Sequence, residues 1–229
     1  ENAAFGIDSQ PFLATSYEDA ERLWEAQKPV IEKLLAKQGL IPLFAVPWPP
    51  QGLYSQKRID SINDMKGVKI RAYNATLESF AQKVGASATQ VEVPDIPQAF
   101  TTGMVEAMIT SPSTGVNSKA WDFVDNYYDI QAWLPKNIVV VNKKYFRRLD
   151  KDTQKALLAA AALAEQRGWQ MSRLETEKQT KALAEQGMNL SSPSNQLSQQ
   201  LQSLGKEMMS DWLTNASSEG KKIFQAYAK

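Results

Sequence analysis

The sequence predicts an α/β fold in which two lobes share one long helix. Short apolar strands alternate with helical segments between residues 68 and 142, a pattern typical of a largely parallel sheet. One uninterrupted helical pattern then begins at Asp150 and ends before Gly187. The length of 229 residues is enough for one large core or two smaller ones. A cleft between two lobes is a usual ligand site.

Local signals place each element. Thr15 and Ser16 are N-cap candidates for a first helix that stops at Gly39. An apolar strand at 40–46 leads into the stiff turn Pro47–Gly52, and a short strand follows at 53–55. The remaining strands are predicted at 68–72, 88–93, 104–110, 127–134, 137–142 and 188–190, and the remaining helices at 75–84, 95–102, 112–121, 150–186, 195–214 and 218–227.

The long helix has two different halves. The first contains Ala156–Ala164, which is apolar almost all round and therefore predicts burial between layers or lobes. The second half is polar and is predicted to reach solvent. The expected division of the chain assigns residues 1–67 to part of the first lobe, 68–142 to the second α/β lobe, 143–187 to the connecting helix and 188–229 to closing helices that pack on the first lobe.

Composition excludes several classes of protein. The 26 Lys and Arg residues balance 25 Asp and Glu residues and are scattered, so a nucleic-acid interface is not supported. No apolar run approaches the length of a membrane span. The chain has no Cys and no His, which excludes thiol catalysis, thiolate metal sites and a Ser-His dyad. These absences favour binding over catalysis, and we predict no cofactor and no metal site.

Arg71 is the first candidate binding residue. It lies at the carboxyl end of the predicted strand 68–72, just before a helix that starts at Asn74, and ligands of open α/β sheets collect at such strand ends. An arginine there can grip a carboxylate through two parallel hydrogen bonds. Arginines are mostly exposed, however, so on this information alone a surface ion pair is favoured by roughly two to one.

Further candidates lie at turns and strand ends. Trp48 either covers an apolar edge or forms a wall of the cleft, and the two roles are weighted about evenly. Asn74 and Ser111 are helix caps first and ligand contacts second. Glu92 is expected to be solvated. The other candidates are Tyr73, which follows a strand, Asn137, for which a turn role is equally favoured, and Gln51, the weakest of the set.

A set of short motifs occurs in order along nearly the whole chain. They are Pro11–Leu13, Lys66–Asn74, Val84–Thr89, Val105–Ile109, Trp121, Tyr127–Asp129 and Val140–Phe146. Together they resemble the solute-binding proteins of tripartite ATP-independent periplasmic (TRAP) transporters, of the DctP type. The resemblance implies a two-lobed α/β periplasmic binding protein fold with a lobe-spanning helix, which closes on a small organic acid.

The resemblance also implies site residues. Arg71 occupies the place of the family's arginine, which carries most ligand carboxylates. Thr110 or Ser111 occupies a position that is often Asn in the family, so hydroxyl groups are expected to replace the usual amide contact. Trp133 matches the family's aromatic residue in the later strand that crosses between the lobes.

One departure from the family is large. Family members normally begin with a β-α-β unit and another helix before the Pro-Phe-Leu region, and these are absent from this sequence. Glu1 is not an initiator Met, so the expectation is that the chain was processed or that its true beginning is missing. A first lobe without its leading strand is expected to expose a sheet edge and apolar surface.

The combined prediction is a periplasmic solute-binding protein, not an enzyme and not inserted in the membrane. It closes over a small carboxylate, with an aromatic or otherwise apolar acid as the leading candidate, and delivers it to TRAP membrane subunits. One alternative is a lyase or isomerase that uses a Lys or Tyr base. Another is a sensor module that presents its closed state to a receptor domain.

Overall fold

The computed structural model describes residues 2–229, and Glu1, the basis of the expectation about the chain's start, lies outside the described residues. The strands are β1 (Leu40–Pro47), β2 (Gly52–Ser55), β3 (Lys69–Ala72), β4 (Ser87–Gln90), β5 (Ala107–Thr110), β6 (Asn126–Tyr128), β7 (Lys136–Asn142) and β8 (Asn189–Ser191). The α-helices are α1 (Tyr17–Lys37), α2 (Ala75–Lys83), α3 (Ile96–Thr101), α4 (Pro112–Asn117), α5 (Lys143–Phe146), α6 (Lys151–Glu185), α7 (Asn195–Asn215) and α8 (Ser218–Tyr227).

The strands of residues 2–229 form two sheets. The larger has the order β4-β3-β5-β2-β6-β8, and the smaller pairs β1 with β7 in antiparallel fashion. The prediction of a largely parallel sheet is confirmed for the larger sheet: five of its six strands run in one direction, and β2 runs antiparallel to both of its neighbours. The alternation of strands and helices predicted the order of the elements. It did not predict the reversed direction of β2, which is inserted between the later strands β5 and β6.

The larger sheet has a packed core on both faces. Alternate residues of each strand point to opposite sides, so Leu53 and Ile70 belong to one apolar cluster while Tyr54 and Met108 belong to another. The first cluster is closed by α2 and α7, and the second by α3 and the segment 120–124. This double coverage holds the ends of the strands in fixed positions.

Two extended segments connect the sheets directly. Residues 48–51 lead from β1 to β2, and residues 129–135 lead from β6 to β7. The strand predicted at 127–134 is therefore too long, since β6 ends at Tyr128 and Gln131 has a φ of 44°, which interrupts the extended backbone. The backbone N–H of Gln51 donates to the carbonyl of Trp133 at 3.0 Å, so the two crossing segments are hydrogen-bonded to each other.

The sheet boundaries differ from the expected lobe boundaries. β2 was expected in the first lobe but lies inside the larger sheet, and β7 was expected in the second lobe but pairs with β1. α7 packs on the larger sheet, whereas it was expected on the first lobe, and α8 packs on α1, which lies in the range assigned to the first lobe. The chain crosses between the sheets more than once, so contiguous ranges cannot describe them. That these sheets belong to two moving lobes stays a prediction.

The long helix α6 has 35 residues and contacts β1, α4 and β8. Side chains of α6 satisfy both backbone groups of Ala45: Glu165 accepts from its N–H at 3.0 Å, and the indole of Trp169 donates to its carbonyl at 3.1 Å. These bonds fix the helix against the smaller sheet. No helix among residues 2–229 is long and apolar enough to span a membrane.

The prediction that the first half of α6 is buried is wrong. Leu158 and Leu163 are 47% and 68% exposed, and Ala161 is the buried residue of that stretch. β1 packs against α6, but these two leucines remain exposed to solvent. Apolar character all round the helix was therefore not a reliable guide to burial here.

We expect Gly168→Ala to lower the free energy of unfolding by about 1–2 kcal/mol. A Cβ at Gly168 would lie 2.4 Å from Cγ2 of Val46, a stiff side chain that cannot turn away easily. Overpacking of this kind costs roughly 1–3 kcal/mol, and the better helix propensity of alanine returns up to about 1 kcal/mol. Urea unfolding followed by circular dichroism measures the change.

The matched control for this prediction is Gly6→Ala. No atom lies within 4 Å of the position that a Cβ would take at Gly6, so this variant is expected to unfold like the wild type. Equal stability of Gly168→Ala and the wild type would contradict the tight packing of α6 on β1.

Candidate ligand-binding cleft

The candidate site lies at one edge of the larger sheet. The parallel strands β3, β4 and β5 all end there, and the antiparallel strand β2 begins there, with Gly52 opposite Thr110. The residues that follow these ends lie close together, because parallel strands present their carboxyl ends at the same edge. They surround a cavity of about 270 Å³, here called the Arg71 cleft.

Arg71 is the main polar group of the cleft. Its side chain is only 2% exposed, and its Nε donates to the carbonyl of Val91 at 2.9 Å. Among residues 2–229, no carboxylate forms an ion pair with Arg71 and no other hydrogen bond uses its guanidinium. A buried cation without an anionic partner is costly. The arrangement therefore provides a strong site for an anion.

Burial lowers the pKa of the Arg71 guanidinium from its ordinary value, while nearby Tyr73 and Glu92 act in the opposite direction. The group stays charged at neutral pH, because the ordinary pKa of arginine is above 12. The guanidinium carbon also lies 5.2 Å from the centroid of the Tyr73 ring, which is within cation–π range. The aromatic ring thus covers one side of the charge.

A chain of hydrogen bonds fixes the side chains beside Arg71. The indole N–H of Trp133 donates to the Tyr73 hydroxyl at 3.2 Å, and that hydroxyl donates to Oε1 of Gln51 at 3.2 Å. The Gln51 amide in turn donates to the carbonyl of Pro49 at 2.9 Å. Burial raises the pKa of Tyr73 to about 12, so its hydroxyl remains a donor at neutral pH.

The cleft also carries hydroxyl groups. Thr110 ends β5, and Ser111 caps α4 by accepting a hydrogen bond from the backbone N–H of Thr114 at 3.1 Å. The hydroxyls of Ser111 and Thr114 are also 3.1 Å apart. All three residues are buried and line the cavity. They supply both donors and acceptors for an uncharged part of a ligand.

Apolar groups complete the wall. Trp48, Val93 and Pro135 line the cavity, and the backbone N–H of Trp48 donates to the carbonyl of Pro135 at 2.8 Å. Trp48 is 40% exposed, so part of its indole remains available for contact. A small ligand with one anionic group, a compact apolar body and a few polar atoms matches this lining.

A profile of the DctP family, described as "Bacterial extracellular solute-binding protein, family 7", matches residues 2–215. The chain belongs to this family. The match covers nearly the whole chain and confirms the resemblance that the ordered motifs indicated. It also agrees with the fold, since the α/β class and the long helix are shared with solved TRAP solute-binding proteins.

Several DctP-family structures are similar to the chain. Bordetella pertussis DctP7, an extracytoplasmic solute receptor binding pyroglutamic acid, has 44% identity and a TM-score of 0.96 over 100% of this chain and 76% of its own. DctP6 of the same organism, which also binds pyroglutamic acid, has 41% identity and a TM-score of 0.95 over 99% and 75%. A marine metagenome TRAP solute binding protein specific for pyroglutamate has 37% identity and a TM-score of 0.92 over 98% and 74%.

A curated relative is more distant. The "Solute-binding protein" of Albidiferax ferrireducens is 25% identical over 162 residues, which cover 68% of this chain and 47% of that protein. The chain thus spans about half the length of this curated relative, and about three quarters of the solved structures.

In this DctP-family protein, the structure brings together most of the residues that the sequence indicated. Six of them line the Arg71 cleft: Trp48, Gln51, Arg71, Tyr73, Thr110 and Ser111. Trp133 is fully buried and contacts the Tyr73 hydroxyl without lining the cavity. The side chain of Asn74 accepts from the backbone N–H of Leu77 at 2.9 Å as a cap. Asn137 lines a neighbouring cavity instead.

Sequence reasoning missed four residues of the lining, namely Glu92, Val93, Thr114 and Pro135. Glu92 was expected to be solvated, and it is exposed although it also lines the cavity. Thr114 was interpreted first as a helix cap that could also contact an anion, and it was not included among the predicted site residues. A usable signal existed for Glu92, because it comes shortly after β4 and β4 is the parallel neighbour of β3. The rule that selected Arg71 at a strand end applies equally there. No local signal marked Pro135.

Proposed function

We propose that this protein is an extracytoplasmic receptor that captures pyroglutamate in the Arg71 cleft and delivers it to a TRAP membrane transporter. The observation that carries the proposal is the buried guanidinium of Arg71, which lines the cavity and has no carboxylate partner among residues 2–229. A carboxylate ligand supplies that partner through charge-assisted hydrogen bonds. Three relatives with 37–44% identity that bind pyroglutamate support the choice of acid.

The size and lining of the cleft suit pyroglutamate. A volume of about 270 Å³ is slightly below the range of roughly 300–1,000 Å³ for drug-sized ligands, so a small acid is the appropriate class. The ring methylenes fit against Trp48 and Pro135, and the lactam carbonyl fits the hydroxyls of Thr110 and Ser111. This refines the earlier expectation of an aromatic or apolar acid to a small, non-aromatic cyclic acid.

Closure of the cleft follows from the two crossing segments. Residues 48–51 and 129–135 join the two sheets and also border the cavity through Trp48, Gln51 and Pro135. A ligand that contacts both sides stabilises the closed arrangement by its higher affinity for it. We propose that the two sheets belong to lobes that move about these segments, and that Trp133 holds Tyr73 and Gln51 in place.

Capture without chemical change is the proposed activity. The family and its solved members are binding receptors, and no histidine or cysteine is present to act as base or nucleophile. The periplasm is the proposed compartment, and the TRAP membrane subunits are the proposed partners, because a receptor that only binds needs a transporter to take up its ligand.

Isothermal titration with L-pyroglutamate tests the proposal. We expect saturable binding of one equivalent, and we expect mass spectrometry of the ligand recovered after denaturation to show unchanged pyroglutamate. A structurally unrelated sugar without a carboxylate serves as the control and is expected not to bind. Absence of binding to pyroglutamate would overturn the proposed ligand, and conversion of the bound acid would overturn the role as a receptor.

A further inference from the structure

We infer that Glu92 is a specificity-determining residue of the Arg71 cleft and accepts a hydrogen bond from an N–H group next to the ligand carboxylate. This inference rests on the proposed function, because it concerns the same cavity and the same ligand. Arg71 recognises the anionic group of the ligand, and Glu92 recognises a hydrogen-bond donor beside it. The preferred ligands are therefore acids with an N–H group next to the carboxylate.

Backbone geometry places Glu92 beside Arg71. The carbonyl that holds Nε of Arg71 belongs to Val91, the residue directly before Glu92. The backbone N–H of Val91 donates to the carbonyl of Ala72 at 3.1 Å, and the carbonyl of Glu92 accepts from the N–H of Asp95 at 3.1 Å. The backbone of Glu92 is therefore anchored on both sides, at the edge of the sheet where β3 ends one residue after Arg71.

The charges of the cleft are one cation and one anion. Arg71 and Glu92 are the charged residues of the lining, and the others are neutral. Burial lowers the pKa of Arg71, and Glu92 is close enough to oppose that shift. No carboxylate oxygen of residues 2–229, however, lies within 4.0 Å of the Arg71 nitrogens. The guanidinium is thus not occupied by Glu92 and remains available for a ligand.

Glu92 is exposed to solvent and lines the cavity, so its carboxylate is accessible to a donor group of a ligand. Within residues 2–229 its side chain takes part in no hydrogen bond and no ion pair, and an ionised carboxylate only accepts. A ligand that brought an anion alone would place a second negative charge near Glu92, and the two charges would repel each other even though Glu92 is exposed to solvent. An N–H beside the ligand carboxylate offsets that repulsion by donating to Glu92.

Pyroglutamate has this pattern of groups. Its carboxylate and its lactam nitrogen are attached to the same carbon, so one end of the molecule presents an anion for Arg71 and a neutral N–H donor for Glu92. The lactone of the same ring, 5-oxotetrahydrofuran-2-carboxylate, has nearly the same shape but carries an acceptor oxygen in place of the N–H. In the cleft this ring oxygen would face the Glu92 carboxylate, and two hydrogen-bond acceptors repel each other.

The test titrates pyroglutamate and its lactone analogue into the wild-type protein and into Glu92→Gln. We expect the wild type to prefer pyroglutamate by about 10- to 100-fold, the range of a hydrogen bond to a charged group. A glutamine amide can donate to the ring oxygen as well as accept from the N–H, so the preference is expected to fall at least tenfold in Glu92→Gln. Asp95→Asn is the matched control, since Asp95 is a nearby exposed acid outside the lining, and its preference is expected to equal that of the wild type.

The ratio of the two affinities is the readout, because loss of a negative charge alone raises the affinity for both acids. A ratio in Glu92→Gln within twofold of the wild type would overturn the inference while leaving pyroglutamate as the ligand. A wild-type protein that binds no pyroglutamate would overturn the proposed function, and the inference with it. Equal thermal unfolding midpoints of the variants show that they are folded.

Discussion

Arg71→Ala is expected to weaken pyroglutamate binding by about 30- to 5,000-fold. The guanidinium is buried, and truncating one partner of a buried, hydrogen-bonded charge pair costs roughly 2–5 kcal/mol. Much of this cost arises because the ligand carboxylate would enter the cavity without a positive charge to receive it. Isothermal titration of wild type and variant under the same buffer conditions measures the loss.

Arg71→Lys separates charge from geometry. Lysine keeps the positive charge but loses the planar fork and the Nε bond to Val91, so we expect an affinity between those of the wild type and of Arg71→Ala. The matched control is Arg58→Ala, because the Arg58 side chain is 80% exposed and pairs with Asp60 on the surface. Arg58→Ala is expected to bind pyroglutamate like the wild type.

The role of Arg71 as the carboxylate anchor would be contradicted by an Arg71→Ala protein that binds within threefold of the wild type. Loss of binding in Arg58→Ala of the same size would instead indicate a general effect of net charge. Circular dichroism spectra of the ligand-free variants check that each of them is folded.

Trp133→Ala is expected to lower the free energy of unfolding by about 3–5 kcal/mol. Its indole is completely buried in the cluster that includes Leu53, Ile70 and Leu197, and truncating a buried Trp leaves a large cavity. The variant also removes the donor to the Tyr73 hydroxyl. Urea unfolding is expected to show a lower midpoint with an unchanged slope, since the surface exposed on unfolding stays similar.

Trp48→Ala is the matched control, because Trp48 is the same residue type at the same cleft but is 40% exposed. We expect a change in unfolding free energy below about 1 kcal/mol, together with several-fold weaker pyroglutamate binding from the lost wall contact. The opposite pattern, with Trp48→Ala unfolding early and Trp133→Ala unaffected in stability, would contradict the assignment of Trp133 to the core and Trp48 to the cleft.

Much of the local structure was predictable because its causes are local. The N-cap of α1 at Ser16, the cap of α2 at Asn74 and the long α6 after Asp150 follow from residues next to one another in the chain. The placement of Arg71 near the end of β3 was predictable for the same local reason. Prediction failed for the sheet to which β2 belongs and for the burial of the first half of α6, because residues distant in the sequence set both.

The residues of the candidate site also divide into those predictable from local sequence and those that depend on tertiary packing. Arg71 was identified from a strand end and a family motif. Glu92 was expected to be solvated because its spacing from the other acidic residues did not force them together, and it is both exposed and part of the cleft lining. Its place in the cleft depends on β4 lying parallel to β3. Trp133 was predicted from the family resemblance and Asn137 from its place at a turn, and only the packing shows that neither lines the Arg71 cleft.

By itself, the sequence determined the kind of chemistry: a chain without His or Cys, with one arginine at a strand end and hydroxyl groups at another. The tertiary structure alone decided which side chains meet. Gln51 reaches Tyr73, and Trp133 reaches both through a segment some 60 residues later in the chain. Such contacts carry no local signal, because they arise from strand pairing and the packing of crossing segments. The cleft is therefore formed only in the tertiary structure, whereas Arg71, which anchors the ligand in the proposal, could be identified from the sequence.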